Sequence, residues 1–180
     1  ELNKLTYELG GANIDCSNGE KGRINPLQIR FNVPDSDTGD GKVPLDQIYP
    51  LEQHIRFLRS FLNAYKGDSD EIGILHTNLI ERALTHVYGL INIDFKTTAQ
   101  YIPDNFKSDD YPIFSDVYDT IQEWLKEIEK QPHPDRAEIE RHKVCLAFLE
   151  PIAYGADANL FNGHTNVDLS ANVINFNLSA

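Results

Sequence analysis

Apolar residues recur at three- and four-residue spacing through the middle of the chain, the pattern of helices with one buried face. In PLEQHIRFLRSFLNAYKG, Leu51, Ile55, Leu58, Leu62 and Tyr65 share a stripe, with Pro50 suited to the first turn and Gly67 to the stop. DSDEIGILHTNLIERALTHVYG repeats the pattern, with Asp68 and Glu71 spaced as a capping box and Gly89 as the expected end. A mixed connector with two prolines follows, residues 91–114. Ser115 is then placed to cap DVYDTIQEWLKEIEKQ, in which Val117, Ile121, Trp124, Leu125 and Ile128 build a core face. After the helix-breaking PHP, Asp135 and Glu138 form a second capping-box pattern opening RAEIERHKVCLAFLEPIAYG. Pro151 should kink that helix or end it a turn early, and Gly155 should stop it.

The flanks read differently. ELNKLTYELGG resembles the last turns of a helix, with Leu2, Leu5 and Leu9 on one face and Gly10-Gly11 as the stop. ANIDCS alternates like a short strand, and NGEKG turns it into RINPLQIRF. Asn25-Pro26 makes that segment an edge strand or an extended loop. Residues 34–44 are a proline-bracketed loop. DANLF, the Asn162-Gly163 turn and VINFNL are expected to return the chain to β structure. Around that turn, Leu160 and Phe161 before it and Val167 and Leu169 after it should be buried, leaving His164, Thr165 and Asp168 solvated. The fold class is α+β, mostly α: four helices set between short β segments.

Composition narrows the function classes. The 180 residues carry 28 acidic against 16 basic side chains, a formal net charge of −12, which repels phosphate backbones and disfavours nucleic acid as a partner. No apolar run approaches the roughly 18 residues of a membrane helix, so membrane insertion is not expected. Two cysteines, Cys16 and Cys145, fit a reducing compartment and point to the cytoplasm. The chain begins at Glu1 and contains no methionine, so it is expected to be an internal piece of a larger protein.

Candidate chemistry fails on spacing. In TGDGKV, Gly41-Lys42 is followed by Val43 where a phosphate loop needs Ser or Thr, and Ser36 stands where its first glycine should be. Asp35, Asp37, Asp40 and Asp46 imitate a calcium loop but lack the glycine and the bidentate glutamate, leaving at most a weak cation contact. His54, His76, His86, His133, His142 and His164 show no metal-ligand spacing. Cys145 lies in an apolar helical stretch, as an inert thiol would. No catalytic, cofactor-binding or metal-binding residue is assigned.

The two β flanks together carry a family resemblance. Gly10-Gly11, Ile24-Asn25-Pro26 and Leu160-Phe161-Asn162-Gly163, with YPIFSDVYDTI between, resemble in content and order the large ATPase of type IV secretion and conjugative transfer, the VirB-four class. In that family a phosphate-loop lobe precedes an acidic segment, which Glu1-Leu2 would end. The resemblance implies an incomplete RecA-like P-loop core at residues 1–49, a helical insertion at 50–155 and returning β segments at 156–180. It also implies ATP and magnesium bound by the parent outside these residues, and oligomer and secretion-complex partners. The location would be the cytoplasmic face of the membrane. The alternative is a stand-alone acidic helical adaptor for protein–protein contacts.

Overall fold

The computed structural model describes residues 12–15, 22–30, 44–102, 106–167 and 174–177. Four long helices make the body: α1 (Pro50–Lys66), α2 (Ile74–Leu90), α3 (Phe114–Glu129) and α4 (Arg136–Ala153). A single-turn helix, α5 (Ala158–Phe161), follows. Strand β1 (Ala12–Asp15) pairs in parallel with β2 (Ile174–Asn177), Ala12 opposite Ile174 and Asp15 opposite Asn177. The expected helix end before residue 12 and the loop at 34–43 lie outside the described residues.

The apolar stripes become one core. α1 contributes Leu51, Ile55, Leu58 and Leu62; α2 adds Leu79, Ile80, Leu84 and Tyr88; α3 adds Phe114, Val117 and Ile121; α4 adds Leu149 and Ile152. Leu27, from the segment before the body, is fully buried with them. Phe61 joins the helices to α5, meeting Phe114 at 6.0 Å and Phe161 edge-on at 5.4 Å between ring centroids. Tyr65 and Trp124, placed on core faces by periodicity, sit half-buried at its margin. Tyr65 uses its hydroxyl to donate to the Asp157 carboxylate at 2.6 Å.

Helix ends depart from the sequence signals. Asp68 and Glu71 do not cap α2; the chain enters the helix at Gly73, whose N–H donates to Nδ1 of His76 at 3.1 Å. Gly89 lies inside α2, and the helix ends where Asn92 takes φ 62° and the Ile93 N–H donates to the Tyr88 carbonyl at 3.0 Å. Asn tolerates that left-handed conformation better than most residues. Ser115 is inside α3 rather than its cap, because Asp116 reaches back to accept from the Ile113 N–H at 2.8 Å. Asp135 does cap α4, accepting from Ala137 at 2.8 Å and Glu138 at 3.4 Å, so half of that box forms.

Pro151 does not end α4. The carbonyl it deprives of a partner belongs to Ala147, and both residues face solvent, so water can satisfy it. Gly155 closes the helix as expected, its N–H donating to the Glu150 carbonyl at 2.9 Å. A Cβ on Gly155 would lie 2.7 Å from the Pro151 Cα, so only glycine fits this approach. DANLF is helical and not β: the Leu160 and Phe161 N–H groups donate to the Asp157 carbonyl at 3.0 and 3.2 Å. Residues 22–30 form no strand and turn at Pro26-Leu27, in keeping with the loop alternative for RINPLQIRF.

Candidate functional site at a seam between two turns

The polar crowd after Asn162-Gly163 meets the Asn25-Pro26 turn along a short seam. Ile24 N–H donates to the Leu160 carbonyl at 3.0 Å. Arg23 and Asn166 close a ring: the Arg23 N–H donates to Oδ1 of Asn166 at 2.8 Å, and the Asn166 N–H to the Arg23 carbonyl at 3.2 Å. Asn25 N–H donates to Oγ1 of Thr165 at 3.0 Å.

Two asparagine side chains tie the seam to the helices. Asn25 is buried; its Nδ2 donates to the Pro112 carbonyl at 2.9 Å while its Oδ1 accepts from the Leu27 N–H at 3.0 Å. Asn162 accepts from the Ser115 N–H at 2.8 Å and donates to the Ala153 carbonyl at 2.7 Å, joining the end of α4 to the first turn of α3. Each amide spends both its donor and its acceptor on backbone groups that would otherwise lack partners.

His54 of α1 lies behind the turn, against the Pro26 and Leu27 carbonyls and near the Arg30 guanidinium. Burial pushes its pKa down to about 4, outweighing the two carbonyls, so the ring is neutral at pH 7. Its Nε2 has no hydrogen-bond partner. The Tyr88 hydroxyl donates to the Leu27 carbonyl from the other side. The turn is clamped between α1 and α2.

This arrangement fixes the two turns against each other and against the helices. It contains amides, the Thr165 and Tyr88 hydroxyls, the Arg23 and Arg30 guanidiniums and a buried neutral imidazole, and among the described residues it sets no nucleophile beside a base. The other histidines are scattered. His76 caps α2, His86 stacks edge-on against Trp124, and His133 is exposed between α3 and α4. His142 is buried with Nδ1 2.8 Å from the Glu138 carbonyl, and His164 is exposed. Among the described residues no three His, Cys, Asp or Glu side chains gather as a metal site. Burial pushes the Cys145 thiol up to about 12, as its apolar helix position implied. Of the calcium-like set only Asp46 is described, and it is exposed in a 3-10 turn, Leu45–Gln47.

The corner expected around LFNGHTNVDL is partly realised. Leu160, Phe161 and Val167 are half-buried, Gly163 is buried, and Leu169 and Asp168 lie outside the described residues. Thr165 is not a solvated side chain, since its hydroxyl holds the Asn25 turn. Sequence reasoning named Asn25 and Asn162 as turn residues and Thr165 as solvated, without the bonds that join them. The available signal was an Asn-Pro turn flanked by Ile24 and Leu27, which requires a partner for a buried amide.

No protein-family model matches the chain. None of the curated proteins matches it either. Among solved structures, VirB4 of Thermoanaerobacter pseudethanolicus is similar, with 27% sequence identity and a TM-score of 0.67 over 97% of this chain. The chain spans 39% of that protein's length. The chain is helical through most of its described length and is similar to a region of that VirB4 almost from end to end.

Proposed function

We propose that this chain is the helical region of a type IV secretion or conjugation motor ATPase, inserted at residues 50–155 into a RecA-like core. The observation that carries the reading is the likeness to VirB4 across 97% of the chain. The strand pair supports it. β1 and β2 run parallel from opposite ends of the chain with the whole helical body between them. A two-stranded parallel sheet is a poor structure alone, because parallel sheets are stable when extended and covered on both faces. Residues 1–49 and 156–180 are then parts of that sheet's domain.

In this reading the region contributes contacts to other subunits and to proteins of the secretion complex, at the cytoplasmic face of the membrane. No helix among the described residues is long and apolar enough to cross a membrane. ATP and magnesium are held by motifs of the parent outside these residues, and the seam supplies no group to the reaction.

Calorimetry of the 180-residue chain with ATP and magnesium should show no binding, and tight binding would overturn the assignment of an inactive region. Replacing residues 50–155 of the parent by a short linker should leave ATP hydrolysis and abolish assembly of the complex. If the gene encodes no GxxxxGK[ST] loop within about a hundred residues upstream, the adaptor reading replaces this one.

A further inference from the structure

A groove of about 430 Å³ opens between the C-terminal end of α2 and the first half of α3. Its apolar lining is Val87, Leu90, Ile91, Tyr111 and Pro112. Leu90 is 69% exposed, a large aliphatic side chain left uncovered at the mouth. Val87, Tyr111 and Pro112 are buried and form the floor, and Ile91 is half-buried, so Leu90 is the apolar side chain a partner would meet first.

The rim has one sign of charge. Asp109, Asp110, Asp116, Asp119 and Glu123 line the groove, and among the described residues no lysine or arginine does. Three of these carboxylates are fixed in place. Asp110 accepts from the Lys107 N–H at 2.7 Å, Asp116 from the Ile113 N–H at 2.8 Å, and Asp119 from the Tyr154 hydroxyl at 2.8 Å. The last turn of α2 has no basic residue, so its carbonyl end adds partial negative charge at the same place. His164 also lines the groove.

These features select the occupant. A lone metal ion is not served, because the described carboxylates do not gather as a metal site. Nucleic acid is repelled by the net charge of −12, and the same acidic face of a second copy would meet this rim with like charge. What complements an apolar floor under an acidic rim is a helix or extended segment with aliphatic residues on one side and lysine or arginine on the other. We propose that this groove docks a basic amphipathic segment of a different, partner protein, its aliphatic side chains on Leu90 and Ile91 and its cations on the acidic rim. The proposal goes beyond the motor-ATPase reading and its test uses no nucleotide, so either can fail without the other.

The probe is a fluorescein-labelled synthetic Leu/Lys peptide of about 15 residues with leucines at helical spacing. Anisotropy is read against the 180-residue chain at about 0.15 M salt, where charges more than roughly 8 Å apart are screened. Asp109→Lys with Glu123→Lys should weaken binding about tenfold or more, and Leu90→Ala several-fold. Glu129→Lys with Glu140→Lys, the same charge change at the far end of the α3–α4 pair, should weaken it less than about threefold. Equal loss in the two double variants would overturn the proposal, as would equal binding of a Ser/Lys peptide without leucines. No binding of the Leu/Lys peptide at this salt would also overturn it. Circular dichroism confirms that each variant is folded, and Leu90→Ala keeps the test open if a charge reversal unfolds the chain.

Discussion

Asn25→Ala isolates the contribution of the seam. The substitution removes a buried amide that serves two backbone groups, the Pro112 carbonyl and the Leu27 N–H. Both bonds are buried, so neither group gains water when the amide goes. Each orphaned group costs about 1–3 kcal/mol, which sums to roughly 2–4 kcal/mol if the turn relaxes a little. The Asn25 N–H keeps its bond to Thr165 in the variant, so the loss reports the side chain alone. For a chain of this size the thermal midpoint should fall by roughly 5–15 °C. Urea unfolding gives the free energy directly, with an unchanged slope showing that the unfolded state is the same. Asn25→Asp supplies a second reading: it keeps an acceptor for Leu27 but turns an anionic oxygen toward the Pro112 carbonyl, and should cost at least as much. A loss below about 1 kcal/mol for Asn25→Ala would refute the reasoning, because the two backbone groups would then have other partners.

Three further outcomes follow from single contacts. His54 is held at about 4 by burial against an ordinary 6.5, so the unfolded chain binds the proton first as pH falls. Its contribution, about 3 kcal/mol, is present in full above pH ~6.5 and is lost as pH falls through ~4. Urea midpoints at pH 7 and pH 4.5 should therefore converge more in His54→Gln than in the wild-type chain; equal pH dependence in both would refute the assignment. Gly155→Ala should lower stability by about 1–3 kcal/mol, since the added methyl meets the Pro151 backbone at 2.7 Å. Gly89→Ala should raise it by about 0.5–1 kcal/mol, because the residue is helical, exposed and has nothing within 4 Å of the new methyl. Thermal melts of the two glycine variants should therefore move in opposite directions.

The helices were legible because their information is local. Leu51, Ile55, Leu58 and Leu62 repeat at the helical period, and all four are buried in α1. The ends were less legible because several nearby residues compete for one set of unpaired N–H groups. Asp68 and Glu71 have the right spacing, yet His76 with Gly73 satisfies the start of α2 five residues later. Ser115 lost to Asp116 for the same reason, since a carboxylate reaching back from the third position binds the Ile113 N–H. DANLF carries too few residues for either period to decide, and Asp157 settles it by accepting at the start of α5.

The seam was legible only as an order of motifs. Asn25 binds Pro112 and Thr165, residues separated from it by 87 and 140 positions, and no window of sequence connects them. The resemblance through Ile24-Asn25-Pro26 and Leu160-Phe161-Asn162-Gly163 named both halves without giving the bonds between them. His164, expected on the solvated side of the turn, stands exposed to solvent. Its neighbour Thr165, with an ordinary hydroxyl, holds the Asn25 backbone. A neutral acceptor suits that role because it satisfies a backbone donor at every pH, whereas a histidine there would lose its acceptor on protonation. Asn25, Asn162 and Thr165 join the two turns through neutral amides and a hydroxyl, chemistry that reactive-group patterns in a sequence do not mark.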